Sequence, residues 1–248
     1  MGSPVELIFG VDGARAMAFA PLTGRDEAAT LGAVALLRQL ALPDGGLVYG
    51  DAVDALTLGD RDRALATLYT QLYGNDVLAD AVCSACKATY EIRFDLAALL
   101  ASRQPDGSHG GDPPAISVDG SRLRLPTFAD LNGTPTTFLK RLTLDGPVPP
   151  EDSAAAAIEA ADPALELDLT GTCPECDATQ ATPFSISRFL EAALKRDRGF
   201  LAREVHLIAG AYHWSLAEIL SLTRQDRQGF ARLLIAEREA ALLLRRAS

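Results

Sequence analysis

Cysteine occurs only four times in this chain, histidine three times and tryptophan once. No stretch approaches the roughly 18 to 20 apolar residues needed to cross a bilayer. The scarcity of histidine excludes most imidazole chemistry. His109 lies in a Gly/Pro loop with no partner at ligand spacing. His206 and His213 fall seven residues apart on one predicted helix, about 10.5 Å along its axis, too far to share an ion. Also missing are G-x-S-x-G, G-x-x-x-x-G-K-[ST], H-E-x-x-H and a dinucleotide-binding glycine loop after a strand. Little is left from which to build an active site, and no enzymatic activity is expected.

What is present describes a globular protein. Apolar residues make up 48% of the 248 positions and charged residues 23%, so burial can offset the entropy of ordering the chain. The net charge of −10 is uneven: from Lys195 onward ten Lys/Arg face six Asp/Glu, which leaves −14 on residues 1–194. An acidic body repels a phosphate backbone, and nucleic acid is not an expected partner. The start MGSPVELIFG has neither a basic n-region nor an apolar h-region, and Glu6 breaks the myristoylation pattern. A cytoplasmic location is expected.

In a reducing compartment the cysteines read as metal ligands rather than disulfides. They fall in two similar phrases, CSACKATYEIRFDL at 83–96 and CPECDATQATPFSI at 173–186. A C-x-x-C turn presents two thiolates to one ion, and two such turns complete the tetrahedral set that zinc prefers. Cys83, Cys86, Cys173 and Cys176 are therefore the candidate ligands of a structural zinc ion, with unligated thiols as the alternative. Each pair sits between two predicted strands, a zinc-ribbon arrangement. A redox pair would need a C-x-x-C opening a helix, and a catalytic zinc would need an open coordination position.

The surrounding sequence repeats its grammar. A hairpin around Asp12-Gly13, a Thr23/Asp26 helix start and a helix ending at Pro43–Gly46 lead to LGDRDRALATLYTQLYG. That helix has an Asp60 cap and an apolar face of Leu65, Leu68, Tyr69, Leu72 and Tyr73. A strand then enters Cys83. After a Gly/Pro/Ser linker, a hairpin around Asp119-Gly120, a Thr127/Asp130 start, the helical TFLKRL and AAAAIEAA and the strand ALELDL lead into Cys173. The expected fold class is α+β. Two diverged hairpin–helix–knuckle units, 5–101 and 115–192, share the four-cysteine site across a pseudo-twofold; residues 102–114 link them and 193–248 form a C-terminal helical region.

In that region Leu201, Val205, Ile208 and Tyr212 make a stripe at helical spacing. Ser215 and Glu218 form a capping box, with Trp214 placed to staple against Ile219. Phe230, Leu233, Leu234, Ala241 and Leu244 are expected to face inward on the last helix. Tyr212, His213, Trp214, Glu218 and Ile219 are the candidate partner-binding residues.

Several segments together resemble the baseplate and hub assembly proteins of T-even-type contractile phage tails and phage-like contractile injection systems. They are PLTGRDE, LGDRDRALATLYTQLYG, CSAC, CPEC and, most specifically, EVHLIAGAYHWSLAEILSLTRQDRQGFARLLI from Glu204 to Ile235. The resemblance implies a non-enzymatic factor, or minor component, that helps build a tail hub in the host cytoplasm through contacts with hub, spike or tape-measure proteins. The chain departs from knuckles of this kind at Lys87 and Asp177, where glycine is common because the turn favours a left-handed residue. A zinc-ribbon adaptor in nucleic-acid metabolism is the alternative function.

Overall fold

The computed structural model describes residues 4–29, 31–44, 46–105, 113–131 and 135–247. Its first element pair is the hairpin β1 (Val5–Val11) and β2 (Ala14–Met17). Asp12 and Gly13 have φ of 49° and 81°, the two positive angles that a tight two-residue turn requires. The Asp26 carboxylate accepts the Thr23 N–H at 2.8 Å and its hydroxyl at 2.6 Å, which fixes the start of α1 (Gly24–Ala28). The sequence predicts one helix onward to Pro43, but two form. Ala29 turns extended, and α2 (Ala33–Leu40) restarts where the Glu191 carboxylate accepts the Ala33 N–H at 2.8 Å. That cap arrives from 158 residues away and has no local signal.

Helix α3 (Leu58–Tyr73) is the centre of the main core. Thr57, not Asp60, is its N-cap: the Thr57 hydroxyl accepts the Asp60 N–H at 3.3 Å. Leu65, Leu68 and Tyr69 are buried as their spacing predicts, and Gly74 ends the helix at φ 85°. The chain continues through β3 (Asp76–Val82), β4 (Thr89–Asp95) and α4 (Leu96–Ser102). Of the expected linker, residues 106–112 with His109 lie outside the described residues.

The second half follows a similar order. Asp119 and Gly120, at φ 48° and 80°, join β5 (Ile116–Val118) to β6 (Ser121–Leu123). Asp130 accepts the Thr127 N–H at 2.9 Å and its hydroxyl at 3.0 Å, opening a short 3-10 helix at Phe128–Leu131. Helix α5 (Pro135–Leu142) leads into β7 (Thr143–Asp145), which pairs back onto β6. In the first half isolated bridges make the corresponding return, Phe19 to Ala41 and Ala16 to Leu47. Then come α6 (Glu151–Ala161), β8 (Glu166–Thr172), β9 (Thr179–Ser185), α7 (Ile186–Tyr212), α8 (Leu216–Ser221) and α9 (Arg224–Ala247). The result is a mixed α and β chain with small antiparallel sheets.

One core draws on both halves. Met17, Leu37, Leu65 and Leu96 pack together with Leu165, Phe184, Ile186 and Leu190. Each such side chain contributes about 1.5–3 kcal/mol by leaving water. Helix α7 runs unbroken across residue 193, with Leu190 and Ala193 in this core. A second core begins further on, where Leu207 and Ile208 meet Ile219, Ala231 and Leu234. The inward set expected on α9 is only partly inward: Leu234 is buried and Phe230 packs beside it, but Leu233, Ala241 and Leu244 are exposed. The second core closes at Leu234, and α9 continues past it.

Candidate metal centre

Strands β3 and β4 form a seven-rung antiparallel ladder from Asp76–Asp95 to Val82–Thr89. Strands β8 and β9 form another, from Glu166–Ser185 to Thr172–Thr179. Every rung of the first recurs ninety positions later in the second. The turns match too: the Cys83 N–H reaches the Ala88 carbonyl at 2.9 Å and the Lys87 N–H reaches the Cys83 carbonyl at 3.0 Å, while Cys173–Ala178 and Asp177–Cys173 repeat both bonds at 3.0 Å. Lys87 and Asp177 have φ of 65° and 55°. The turn demands the left-handed residue there although neither position is glycine, at a backbone cost of order 1 kcal/mol each.

These turns bring all four expected ligands together. The Cys83 and Cys176 sulfurs lie 3.7 Å apart, as do those of Cys86 and Cys173, and all four fall within 4.8 Å of one another. A disulfide would need about 2.05 Å. Four thiolates around a tetrahedral ion at about 2.3 Å would sit about 3.8 Å from each other. The spacing is therefore that of a site able to hold a metal ion. The pairing is crossed, since the first cysteine of each turn faces the second cysteine of the other. Cys83 and Cys173 are buried among Ala81, Tyr90, Ile92 and Ala178, whereas Cys86 and Cys176 are exposed.

Proton affinities agree with a cation-binding set. The backbone N–H of Cys86, with that of Ala85 and the Cys176 and Cys86 thiols, pulls the Cys83 thiol down to about 6. Cys176 is also helped downward by the Ala178 N–H, yet the sulfurs of Cys86 and Cys83 push it up to about 12. Four sulfurs this close cannot all ionise unless a positive ion compensates them. Across the two hairpins, the Gln180 side chain accepts the Ser84 N–H at 2.7 Å and donates to the Val82 carbonyl at 3.1 Å and the Tyr90 hydroxyl at 3.0 Å.

The five residues of the candidate partner surface are divided by the structure. Tyr212 and Trp214 are stacked with centroids 5.2 Å apart, and both meet Phe230 edge-on. Ile219 is fully buried in the same second core. Glu218 accepts the Ser215 N–H and hydroxyl at 2.8 and 2.7 Å, completing the expected capping box. His213 is exposed and left-handed, at φ 58°, just past the end of α7. His213 and Glu218 are thus the members that face solvent.

Two buried charge clusters have no simple signal in the sequence. In LGDRDR, four consecutive charges at 60–63 are buried. The Asp60 carboxylate accepts the N–H groups of Ile8, Phe9 and Gly10 at 2.7–2.9 Å. Asp62 pairs with Arg61 and accepts the Leu165 N–H at 2.8 Å, and Asp162 accepts the Gly59 N–H at 2.8 Å. Helix α3 thereby ties the first hairpin to the entry of β8. In the second cluster, buried Arg227 bonds to Glu204 at 2.6 Å and to Glu27, and Arg224 bonds to Glu27 at 3.2 Å and to Asp197. Burial raises the proton affinity of Glu27 although both arginines oppose it. A period-based reading assigns such charges to solvent, and only their density in one helical turn hints otherwise.

Comparison of the chain with known protein families, with curated proteins and with solved structures returned no match. No helix among the described residues is long and apolar enough to cross a membrane.

Proposed function

We propose that this protein is a non-enzymatic assembly factor, or minor component, of the baseplate or central hub of a contractile tail or phage-like injection system. It acts through contacts with hub, spike or tape-measure proteins, and a structural zinc ion on Cys83, Cys86, Cys173 and Cys176 fixes its two knuckle hairpins as halves of one zinc-ribbon-like clamp. The observation that carries the reading is that the segments bearing the resemblance meet each other in space. PLTGRDE lies against SLTRQDR through a Thr23–Thr223 bridge, with the Gly24 N–H on the Leu222 carbonyl at 3.2 Å and the Arg224 N–H on the Leu22 carbonyl at 2.7 Å. Two of the segments that carry the resemblance are thereby packed against one another.

A diverged internal duplication belongs to the same reading. Its support is the rung-by-rung correspondence of the two hairpins at a constant offset of ninety, together with the shared order of turn, Thr/Asp start and helices. The test is genetic and biochemical. Neighbouring genes should encode sheath, tube, spike and tape-measure proteins, and the tagged protein should co-purify with a hub component from cells assembling tails. A neighbourhood without tail genes, combined with no hub protein in the eluate, would overturn the proposal.

A further inference from the structure

Helix α7 sorts its charges by sign. Its three acidic residues are all engaged by other parts of the chain: Glu191 accepts the Ala33 N–H at 2.8 Å, Asp197 accepts the Tyr73 hydroxyl at 2.8 Å and pairs with Arg224, and Glu204 bonds to Arg227 at 2.6 Å. Of the basic residues, Arg198 donates to the Ala29 carbonyl at 3.4 Å, but Arg188, Lys195, Arg196 and Arg203 are exposed. Their positions place these four on one side of the helix, together with Ala192 and Gly199. Arg188, Lys195 and Arg203 have no hydrogen-bond or ion-pair partner among the described residues, and Arg196 reaches only Asp197, at 3.8 Å. A purely basic strip about 22 Å long thus runs along a protein whose net charge is −10.

The strip ends at a groove of about 300 Å³ between α7 and α9. Phe200, Leu207, Ala231 and Ile235 give it an apolar lining, and Arg203 and Arg232 stand beside them. Phe200 is 59% exposed, although covering such a ring is worth about 1.5–3 kcal/mol. Arg232 is exposed too and has no partner among the described residues. Gly199, just before Phe200, costs a helix interior about 1 kcal/mol relative to alanine. A Cβ there would meet nothing within 4 Å, so no contact of the chain with itself requires the glycine. A backbone approaching from outside would.

We propose that this groove and strip are the docking site for an acidic amphipathic helix of another protein. The apolar residues of that helix cover Phe200 and Ile235, while its carboxylates meet Arg203 and Arg232 at the groove and Arg188, Lys195 and Arg196 along the strip. The acidic remainder of the surface repels such a segment, so the charges direct it to this face. This chain's own acidic helices do not fit: Glu151 and Asp152 on α6 are followed by alanines at 154–157, and Glu237 and Glu239 on α9 bracket Arg238. A protein suits the site better than a nucleic acid, which would find one exposed ring for stacking and the carboxylates of Glu237 and Glu239 just beyond Ile235. The proposal does not depend on the tail-assembly reading.

The test is fluorescence anisotropy of the full-length protein with a synthetic helical peptide of about 18 residues, leucine along one face and glutamate along the other. The same peptide with lysine for glutamate and a single-stranded DNA oligonucleotide serve as comparisons. The glutamate peptide should bind, more weakly at high salt, and the other two should not. A photo-crosslinking amino acid at position 200 should attach to the bound peptide. Arg203→Glu combined with Arg232→Glu should weaken binding roughly tenfold or more, and Phe200→Ser should do the same. Circular dichroism and melting temperature should stay unchanged, because all three side chains are exposed. The proposal is overturned if the glutamate peptide does not bind, if the lysine peptide or the DNA binds as well, if position 200 crosslinks to a second copy of this chain, or if binding survives the substitutions.

Discussion

Phe94 and Phe184 stand ninety positions apart on corresponding rungs of the two knuckle hairpins, and they touch edge to face with centroids 5.2 Å apart and planes at 86°. On the proposed duplication, equivalent residues of the two copies meet only close to the axis that relates them, so the aromatic pair and the crossed sulfur pairs would mark two points on that line.

Phe184 is the more buried of the two, so Phe184→Ala is expected to cost about 3–5 kcal/mol. A double-mutant cycle with Phe94→Ala should show a coupling of about 0.5–1.5 kcal/mol. Urea denaturation of the four proteins measures both quantities. A coupling near zero would mean that the rings are neighbours without a shared energetic role.

Purified without chelator, the protein should contain one zinc ion per chain by elemental analysis. Either Cys83→Ser or Cys173→Ser should abolish it, because each turn supplies only half of the ligand set. Since Cys86 and Cys176 are exposed, a chelator should reach the ion without global unfolding. Retention of one ion per chain after loss of a whole C-x-x-C pair would refute a shared site.

The Asp162 carboxyl is pushed up to about 6, first by burial and then by repulsion from Asp60. In the unfolded chain it titrates near 3.9, so between those values the folded protein binds the extra proton. The contribution of this residue to stability therefore falls as pH rises from about 4 to about 6 and stays low above that, a total change of up to about 3 kcal/mol. Asp162→Asn keeps an acceptor for the Gly59 N–H and should remove that slope. Chemical denaturation of both proteins across the range decides it, and parallel profiles would count against the assignment.

Gly24 and Gly199 should respond oppositely to alanine. A methyl group at Gly24 would lie 2.9 Å from the Arg227 guanidinium and 3.0 Å from the Leu220 backbone, whereas one at Gly199 meets nothing within 4 Å. Gly24→Ala is expected to destabilise by about 1–3 kcal/mol and to raise hydrogen exchange in α8 and α9. Gly199→Ala, inside a helix, should stabilise by up to about 1 kcal/mol. Thermal melts should separate the two by sign.

The parts of this fold that were legible in the sequence are those fixed by local chemistry. Asp12-Gly13 and Asp119-Gly120 turn where that dipeptide must, Ser215 and Glu218 cap as a box, and the paired cysteines sit between strands. Tertiary contacts set the rest. Glu191 splits the expected first helix by capping Ala33, β7 exists because β6 offers it an edge, and Asp60 leaves the role of cap to Thr57 because three backbone N–H groups of β1 claim its carboxylate. The candidate metal centre was readable because its ligands recur at one spacing. The charge clusters around Asp60 and Arg227 were not, because their partners lie up to 200 residues away.

Helix α7 follows β9 without an intervening loop and runs for 27 residues, about 40 Å, into the second core. It is in effect a rigid beam, clamped at one end against the open base of the β8–β9 hairpin, a full strand away from the cysteine turn, and at the other among Tyr212, Trp214 and Phe230. A force applied to the far end cannot be absorbed by a hinge at the junction with β9, and must reach the knuckle hairpins as torque.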